Sequence, residues 1–301
     1  MTKSILSIRN LSKSFGGQKV LDNLNMEIKT GEIYGFLGVN GAGKSTTMKI
    51  ILGLLPKDRG EIIALGHSLP KNRSQVLPEI GALIEEPSFY PNLTGFENLQ
   101  LIQELANLPK ENIKVAMEAT GIYYAKDKLV RNYSLGMKQR LGISMALIKF
   151  PKFLILDEPT NGLDPDGIHQ MRQLIRSLPQ KFNMTVLISS HILSEIENLA
   201  DTVGIIKDGH LIYEGSINRL LNQEKKYRLK VNDLEKAIHI IQHFDSNITI
   251  TKDNDTLLLS LPDHAFVPDL ITQLVHNELQ IFEIYGVKKT LESVFLYLTK
   301  E

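Results

Sequence analysis

Two short stretches and one histidine hold the residue types that could do chemistry in this chain. In Gly38-Val39-Asn40-Gly41-Ala42-Gly43-Lys44-Ser45-Thr46, glycines let backbone N–H groups turn inward around an anion, and a lysine and two hydroxyls follow directly. Lys44 suits the β- and γ-phosphates of a nucleotide. Ser45 offers a hydroxyl to the Mg²⁺ that bridges those phosphates and offsets their charge. A glycine-rich turn that merely joins strand to helix accounts for the glycines, but not for Lys44-Ser45-Thr46 behind them. The second stretch is Asp157-Glu158, directly after the apolar run Phe153-Leu154-Ile155-Leu156. Asp157 can hold the Mg²⁺ shell, while Glu158 can orient and polarise an attacking water. Capping of a following helix would call for one acidic residue, not two adjacent ones. His191 ends the run Ser189-Ser190-His191, after the apolar residues 186–188. A lone histidine is more often structural. At a strand end, in a chain that already holds both nucleotide motifs, it is a candidate catalytic group.

These groups need elements that aim them. Residues 33–37 are an apolar run and 47–55 are amphipathic, so the glycine stretch reads as strand, loop and helix, with the helix N-terminus pointing at the same anion. Segments 5–10, 20–21, 24–29 and 32–37 read as short strands separated by Gly16-Gly17, Asp22-Asn23 and Thr30-Gly31, an antiparallel layer ahead of the phosphate loop. Phe15, before the Gly-Gly turn, could stack on a nucleobase or simply pack. Segments 61–65 and 78–83 read as further strands. The second leads into Ile84-Glu85-Glu86-Pro87, from which the Glu85 side chain can reach the Mg²⁺ site. Residues 94–147 take a helical period, with Leu99, Ile102 and Leu105 on one face and Val115, Met117 and Ile122 following. This predicts a helical subdomain over about 92–148. Ser134 sits where an N-cap belongs, before a helix over 135–149 whose Leu141, Met145 and Ile148 share a face. Runs 153–156 and 186–188 suit parallel strands buried on both faces, and 201–207 with 210–215 finish the sheet around Asp208-Gly209.

Beyond residue 221 the pattern restarts. Strands are expected at 227–231, 248–251, 257–261 and 281–285, and helices at 234–244, 267–277 and 291–298. The order strand, helix, strand, strand, helix, strand suits a small α+β ferredoxin-like domain over 222–301, with the polar 223–226 as linker. The α/β core is then 1–221, and every phosphate motif lies within it. At 301 residues with 43% hydrophobic content, the chain has the composition of a folded protein. Lys+Arg and Asp+Glu are both 34, which gives no net field to draw it onto nucleic acid or an anionic membrane. It holds no cysteine, so it has neither a disulfide framework nor a cysteine-ligated metal, a composition that suits the cytosol. Neither a signal pattern nor a run of about eighteen apolar residues is present, so any membrane role needs a partner.

Taken together, the stretch 38–46, Tyr133-Ser134-Leu135-Gly136-Met137-Lys138-Gln139-Arg140, the run 153–158, Asn161-Gly162-Leu163-Asp164 and His191 resemble the full motif series of an ABC-transporter ATPase subunit. The resemblance covers roughly residues 1–220. It implies a P-loop NTPase fold in which two copies stack head to tail and close on two ATP molecules with Mg²⁺. It further implies that Ser134, Leu135, Gly136 and Met137 meet the γ-phosphate held by the partner's Lys44, and that Asp164 links the two sites. His191 would contact the γ-phosphate and the water held by Glu158. Within the family, 133–141, 157–165 and 188–197 are most similar to the ATPases of bacterial bacitracin-resistance and lantibiotic-immunity exporters. There, membrane helices sit on separate permease chains and the ATPase lies at the cytoplasmic face of the membrane. Two departures stand out. Tyr133, Leu135 and Met137 replace the general Leu, Gly and Gln, a change that backbone N–H contacts survive. Glu85 stands where most relatives carry a glutamine that touches Mg²⁺ and the permease, and a glutamate there fits the antibiotic-exporter subgroup.

Two other classes compete. Soluble ABC ATPases of translation usually carry two ATPase domains, and those of DNA repair carry long coiled-coil insertions; this chain has neither. A regulatory protein with a degenerate ATPase is disfavoured by the intact Lys44, Asp157, Glu158 and His191. The transported substrate is not legible, because substrate contacts in this architecture lie mainly on the permease.

Overall fold

In the computed structural model, which describes residues 3–85, 87–221, 225–261, 263, 265–287 and 289–299, an antiparallel layer comes first. The opening elements are β1 (Ser4–Phe15), β2 (Gln18–Lys29), β3 (Ile33–Leu37), α1 (Lys44–Ile51), β4 (Arg59–Ala64) and β5 (His67–Leu69). Strands β2, β1, β4 and β5 form one antiparallel sheet in that order. The separate segments expected at 20–21 and 24–29 are one strand of 12 residues. Asn10 and Asn23 sit at φ 50°, where the β1–β2 register shifts. Asparagine tolerates the left-handed region, so Asp22-Asn23 makes an irregularity within the pairing and not the strand break its turn chemistry suggested.

The chain continues through α2 (Arg73–Val76), β6 (Ile80–Leu83), α3 (Gly95–Leu105), α4 (Glu111–Ala119), α5 (Leu135–Leu147), β7 (Phe153–Asp157), α6 (Pro165–Phe182), β8 (Thr185–Ser190), α7 (Leu193–Glu197), β9 (Thr202–Lys207) and β10 (His210–Ser216). A six-stranded sheet runs β10-β9-β3-β8-β7-β6, parallel except for β10. Strands β3, β7 and β8 are buried along their whole length, as their unbroken apolar runs require. The Tyr34 hydroxyl on β3 donates to Glu214 Oε1 at 2.7 Å, and a Cβ at Gly204 on β9 would overlap that hydroxyl. The helix α6 was not among the expected elements. Its signals are Asp164 before Pro165 and the buried stripe Met171, Leu174, Ile175 and Leu178.

The helical insert is α3, α4 and α5, with two 3₁₀ turns between α4 and α5. Leu99, Met117, Ile122, Leu141 and Ile148 form its core, but Leu105, expected on the same face, is 89% exposed because α3 ends there at Ala106. Val115 also points outward.

Compact units divide the chain at Met1–Ile217 and Asn218–Glu301. After α8 (Ile217–Leu221), the second unit contains β11 (Lys225–Val231), α9 (Leu234–Phe244), β12 (Thr249–Asp253), β13 (Thr256–Leu261), α10 (Phe266–His276), β14 (Ile281–Val287) and α11 (Leu291–Thr299). Its sheet order is β12-β13-β11-β14, with every pairing antiparallel. Leu229, Leu257, Leu259, Ile241, Leu270 and Leu274 centre a core of its own. Of the linker expected over 223–226, residues 223–224 lie outside the described residues, while 225–226 are not linker but the start of β11, paired to β13.

Candidate nucleotide site

Parallel register brings the chemistry together. Leu37 on β3 lies opposite Ser190 on β8, and Asp157 on β7 lies opposite Ser189. The loop from Gly38, the pair Asp157-Glu158 and the turn with His191 therefore leave one edge of the sheet, the carboxyl ends of its strands, where ligands of open α/β sheets gather. Gly41 and Gly43 hold φ of 83° and 111°, and Gly43 is the N-cap of α1. No side chain caps α1 and its first turn holds no acid, so its first N–H groups are left for an anion. Lys44 is 6% exposed, and its ammonium donates to Gly38 O at 2.7 Å and Val39 O at 3.3 Å. Burial pulls its pKa below the usual lysine range, and the charges of Glu158 and Asp157 partly restore it.

Ser189 is the joint of the acidic pair. Its hydroxyl donates to Asp157 Oδ1 and accepts from the Glu158 N–H at 3.0 Å. Glu158 sits at φ 47°, a strained position for glutamate, held there by that bond and by a second from its N–H to Ser189 O at 3.2 Å. Its Oε2 lies 2.9 Å from His191 Nδ1. Sequence reasoning placed Ser189 at a strand end but gave it no role.

A cleft of about 820 Å³ is lined by Ser45, Glu85, Leu135, Gln139, Asp157 and Glu158 among others. Ser45 and Asp157 thus offer a hydroxyl and a carboxylate to one space. That donor set fits Mg²⁺, which takes one or two carboxylates together with substrate phosphates and water. Among the described residues no cluster of three or more His, Cys, Asp or Glu forms an all-protein metal cage. Glu85, at φ 61° and with its side chain 67% exposed, is ion-paired to Lys49 on α1. Lys49 was missed because no motif marks it.

Of the other expected site residues, Leu135 lines the cleft, while Phe15, Ser134, Gly136, Met137 and Asp164 are not among its lining residues. Phe15 is 45% exposed, with Lys13 Nζ 5.2 Å from its ring centre. Asp58 accepts from Lys13 Nζ at 2.9 Å and from Ser14 N at 2.7 Å, bonds that hold its carboxyl below the usual range. Ser134 caps α5, accepting from Met137 N at 3.3 Å, and leaves Leu135 exposed beside Gly136. The residue that caps the helix after β7 is Asp164, accepting from Gly167 N at 2.9 Å, so Asp157 and Glu158 are not caps. Tyr133 is a buried anchor of the helical insert, donating its hydroxyl to Ala125 O at 2.7 Å. Gln139 Oε1 is buried with no partner among the described residues.

A lysine-bearing glycine loop between β3 and α1 on a parallel sheet is the architecture of a P-loop nucleoside triphosphatase. A family model described as ABC transporter matches residues 21–161. The bacitracin transport ATP-binding protein BcrA of Bacillus licheniformis is 42% identical over 300 residues, covering 98% of this chain and 97% of that protein. The lantibiotic transport ATP-binding protein SrtF of Streptococcus pyogenes is 45% identical over 218 residues, 71% of this chain and 93% of its own length. The solved structure of CbiO1 from Clostridium perfringens, described as part of the ABC transporter complex CbiONQ, has a TM-score of 0.68 at 29% identity, covering 72% of this chain and 90% of that one. The chain belongs to the ATP-binding subunits of ABC transporters, a family of ATP-hydrolysing proteins.

Proposed function

We propose that this subunit powers an exporter of peptide antibiotics of the bacitracin or lantibiotic type, docked on separate permease chains at the cytoplasmic face of the membrane. The observation that carries the hydrolytic part is the convergence of Lys44, Asp157, Glu158 and His191 at adjacent strand ends. The substrate class is supported by 42% identity to the Bacillus licheniformis protein along nearly the whole chain.

In this reading the N–H groups of 38–46 bind the phosphates, and Lys44 turns from Gly38 O and Val39 O to the β- and γ-phosphates. Ser45 and Asp157, with Glu85 beside them, would hold Mg²⁺, which would supply charge compensation on the phosphates. Glu158 accepts the proton of the attacking water, and His191 steadies the carboxylate through Oε2. A second copy presents Ser134, Leu135, Gly136, Met137 and Asp164 to the same nucleotide. A related cassette of the same fold has been solved as a dimer with ADP and Pi. Phe15 stacks on the base. The antiparallel sheet of the second unit, with its strand, helix, strand, strand, helix, strand order, supports a ferredoxin-like accessory domain.

Affinity purification from detergent-solubilised membranes tests the transport reading. The expected result is co-purification of a polytopic permease, together with raised bacitracin or lantibiotic sensitivity when the chain is deleted. Recovery with ribosomes or DNA and no permease would overturn it.

Glu85 gives a narrower test. Its negative charge would oppose the γ-phosphate, but Lys49 already offsets it. Glu85→Gln is therefore expected to keep ATP binding and to hold basal hydrolysis within about tenfold, roughly 1.4 kcal/mol in barrier height. Stimulation by the permease and resistance in cells are expected to drop. Normal stimulation and resistance in both Glu85→Gln and Glu85→Ala would show it to be a solvated loop carboxylate.

A further inference from the structure

Glu195 on α7 is a carboxylate 5% exposed that no motif reading uses. Its Oε2 accepts from the Thr160 hydroxyl at 2.6 Å and lies 3.4 Å from the Ser190 hydroxyl. Its Oε1 is buried with no partner among the described residues. Thr160 and Ser190 are themselves 6% and 2% exposed. A buried carboxylate costs several kcal/mol, in order of magnitude, unless well paired, and a half-satisfied one is worse than an apolar side chain of the same shape. Packing alone gives no reason for an acid here.

What the acid joins supplies one. Thr160 opens the loop that runs through Asn161 and Gly162 to Asp164. Ser190 is the last residue of β8, and its hydroxyl also accepts from Ile192 N at 2.9 Å, closing the turn that presents His191. The loop and the turn lie about thirty residues apart in the chain and converge on the same oxygen. Glu158 lies between them: its C=O accepts from Asn161 N at 3.1 Å and its side chain meets His191. We infer that Glu195 is a positioning residue whose buried carboxylate latches the loop leading to Asp164 onto the His191 turn, so that the two move as one and the Glu158–His191 contact follows the state of that loop. This rests on the proposed roles of Glu158, His191 and Asp164.

Turnover and loop order test it together. Glu195→Ala and Thr160→Val each cut the latch. Each is expected to lower kcat by about 10²-fold, the cost of a misplaced catalytic group, with KM for ATP changed less than twofold. The double variant is expected to lose no more than the worse single one, as two ends of one contact should. Glu195→Gln keeps an acceptor oxygen for Thr160 and is expected to recover kcat to within about fivefold of wild type.

Loop order is read without turnover. The chain has no cysteine, so Asn161→Cys takes a single spin label. The label is expected to become mobile when Glu195→Ala is added and to tighten again with Glu195→Gln. An unchanged spectrum overturns the latch, as does a folded Thr160→Val chain with wild-type kcat. If Glu195→Ala fails to fold, Thr160→Val carries both readings. If the label is released while wild type itself hydrolyses nothing, the latch stands and the hydrolytic role proposed above fails.

Discussion

Glu158→Gln is expected to bind ATP as tightly as wild type and to hydrolyse it about 10²- to 10⁴-fold more slowly, the range by which a positioned general base contributes. The amide has the shape of the carboxylate but cannot take a proton. Backbone geometry should survive the exchange, because the strained φ of 47° is held by the Glu158 N–H on Ser189 and not by the side chain. With cleavage blocked, Mg-ATP should hold two copies together. The measurements are single-turnover hydrolysis and size-exclusion chromatography with and without Mg-ATP, alongside wild type shown to be active under the same conditions. Hydrolysis within about fivefold of wild type would remove Glu158 from the role of base. An inactive variant that stays monomeric with bound Mg-ATP would count against the sandwich.

Gly43→Ala is expected to abolish nucleotide binding, with affinity down at least about 100-fold, and to destabilise the first unit by about 2–6 kcal/mol, the sum of backbone strain and overpacking. At φ 111° an alanine is strained, and its Cβ would lie 2.5 Å from Leu21 Cδ2 and 3.0 Å from Val20 O. Leu21 is fully buried in the core of β1, β2 and α1, so it cannot step aside cheaply. The loop must shift instead, taking the N–H groups at the head of α1 with it. Gly41→Ala is the control: at φ 83° it meets nothing within 4 Å, so only the strain of about 1–3 kcal/mol applies. Denaturant unfolding and nucleotide titration of both variants decide the matter. Equal stability and equal affinity for the two would show that the contact with Leu21 is not what requires glycine at 43.

The chemistry of the site was legible in the chain because it rests on residue types at short range. A glycine loop followed by Lys44-Ser45, an apolar strand ending in Asp157-Glu158 and a serine before α5 are local patterns, and local backbone preference suffices to make a strand, a loop and a capped helix of them. The same holds for the alternation of strands and helices in the second unit. Errors came where a local signal was outweighed by pairing. Asp22-Asn23 has turn chemistry, yet β1 runs alongside and absorbs it as an irregularity. Leu105 has the right period, yet it is the last residue of α3 and is left exposed.

What only the tertiary structure decided are the bonds that set the geometry of that chemistry. Ser189 to Asp157 and Glu158, His191 to Glu158, Lys49 to Glu85, and Glu195 to Thr160 all join residues more than thirty positions apart. Three of these four groupings depend on β7 and β8 lying side by side in one register. A shift of one residue would turn Ser189 to the opposite face of the sheet and dissolve them. Register is a property of two strands packed between the same layers, and neither strand carries it alone.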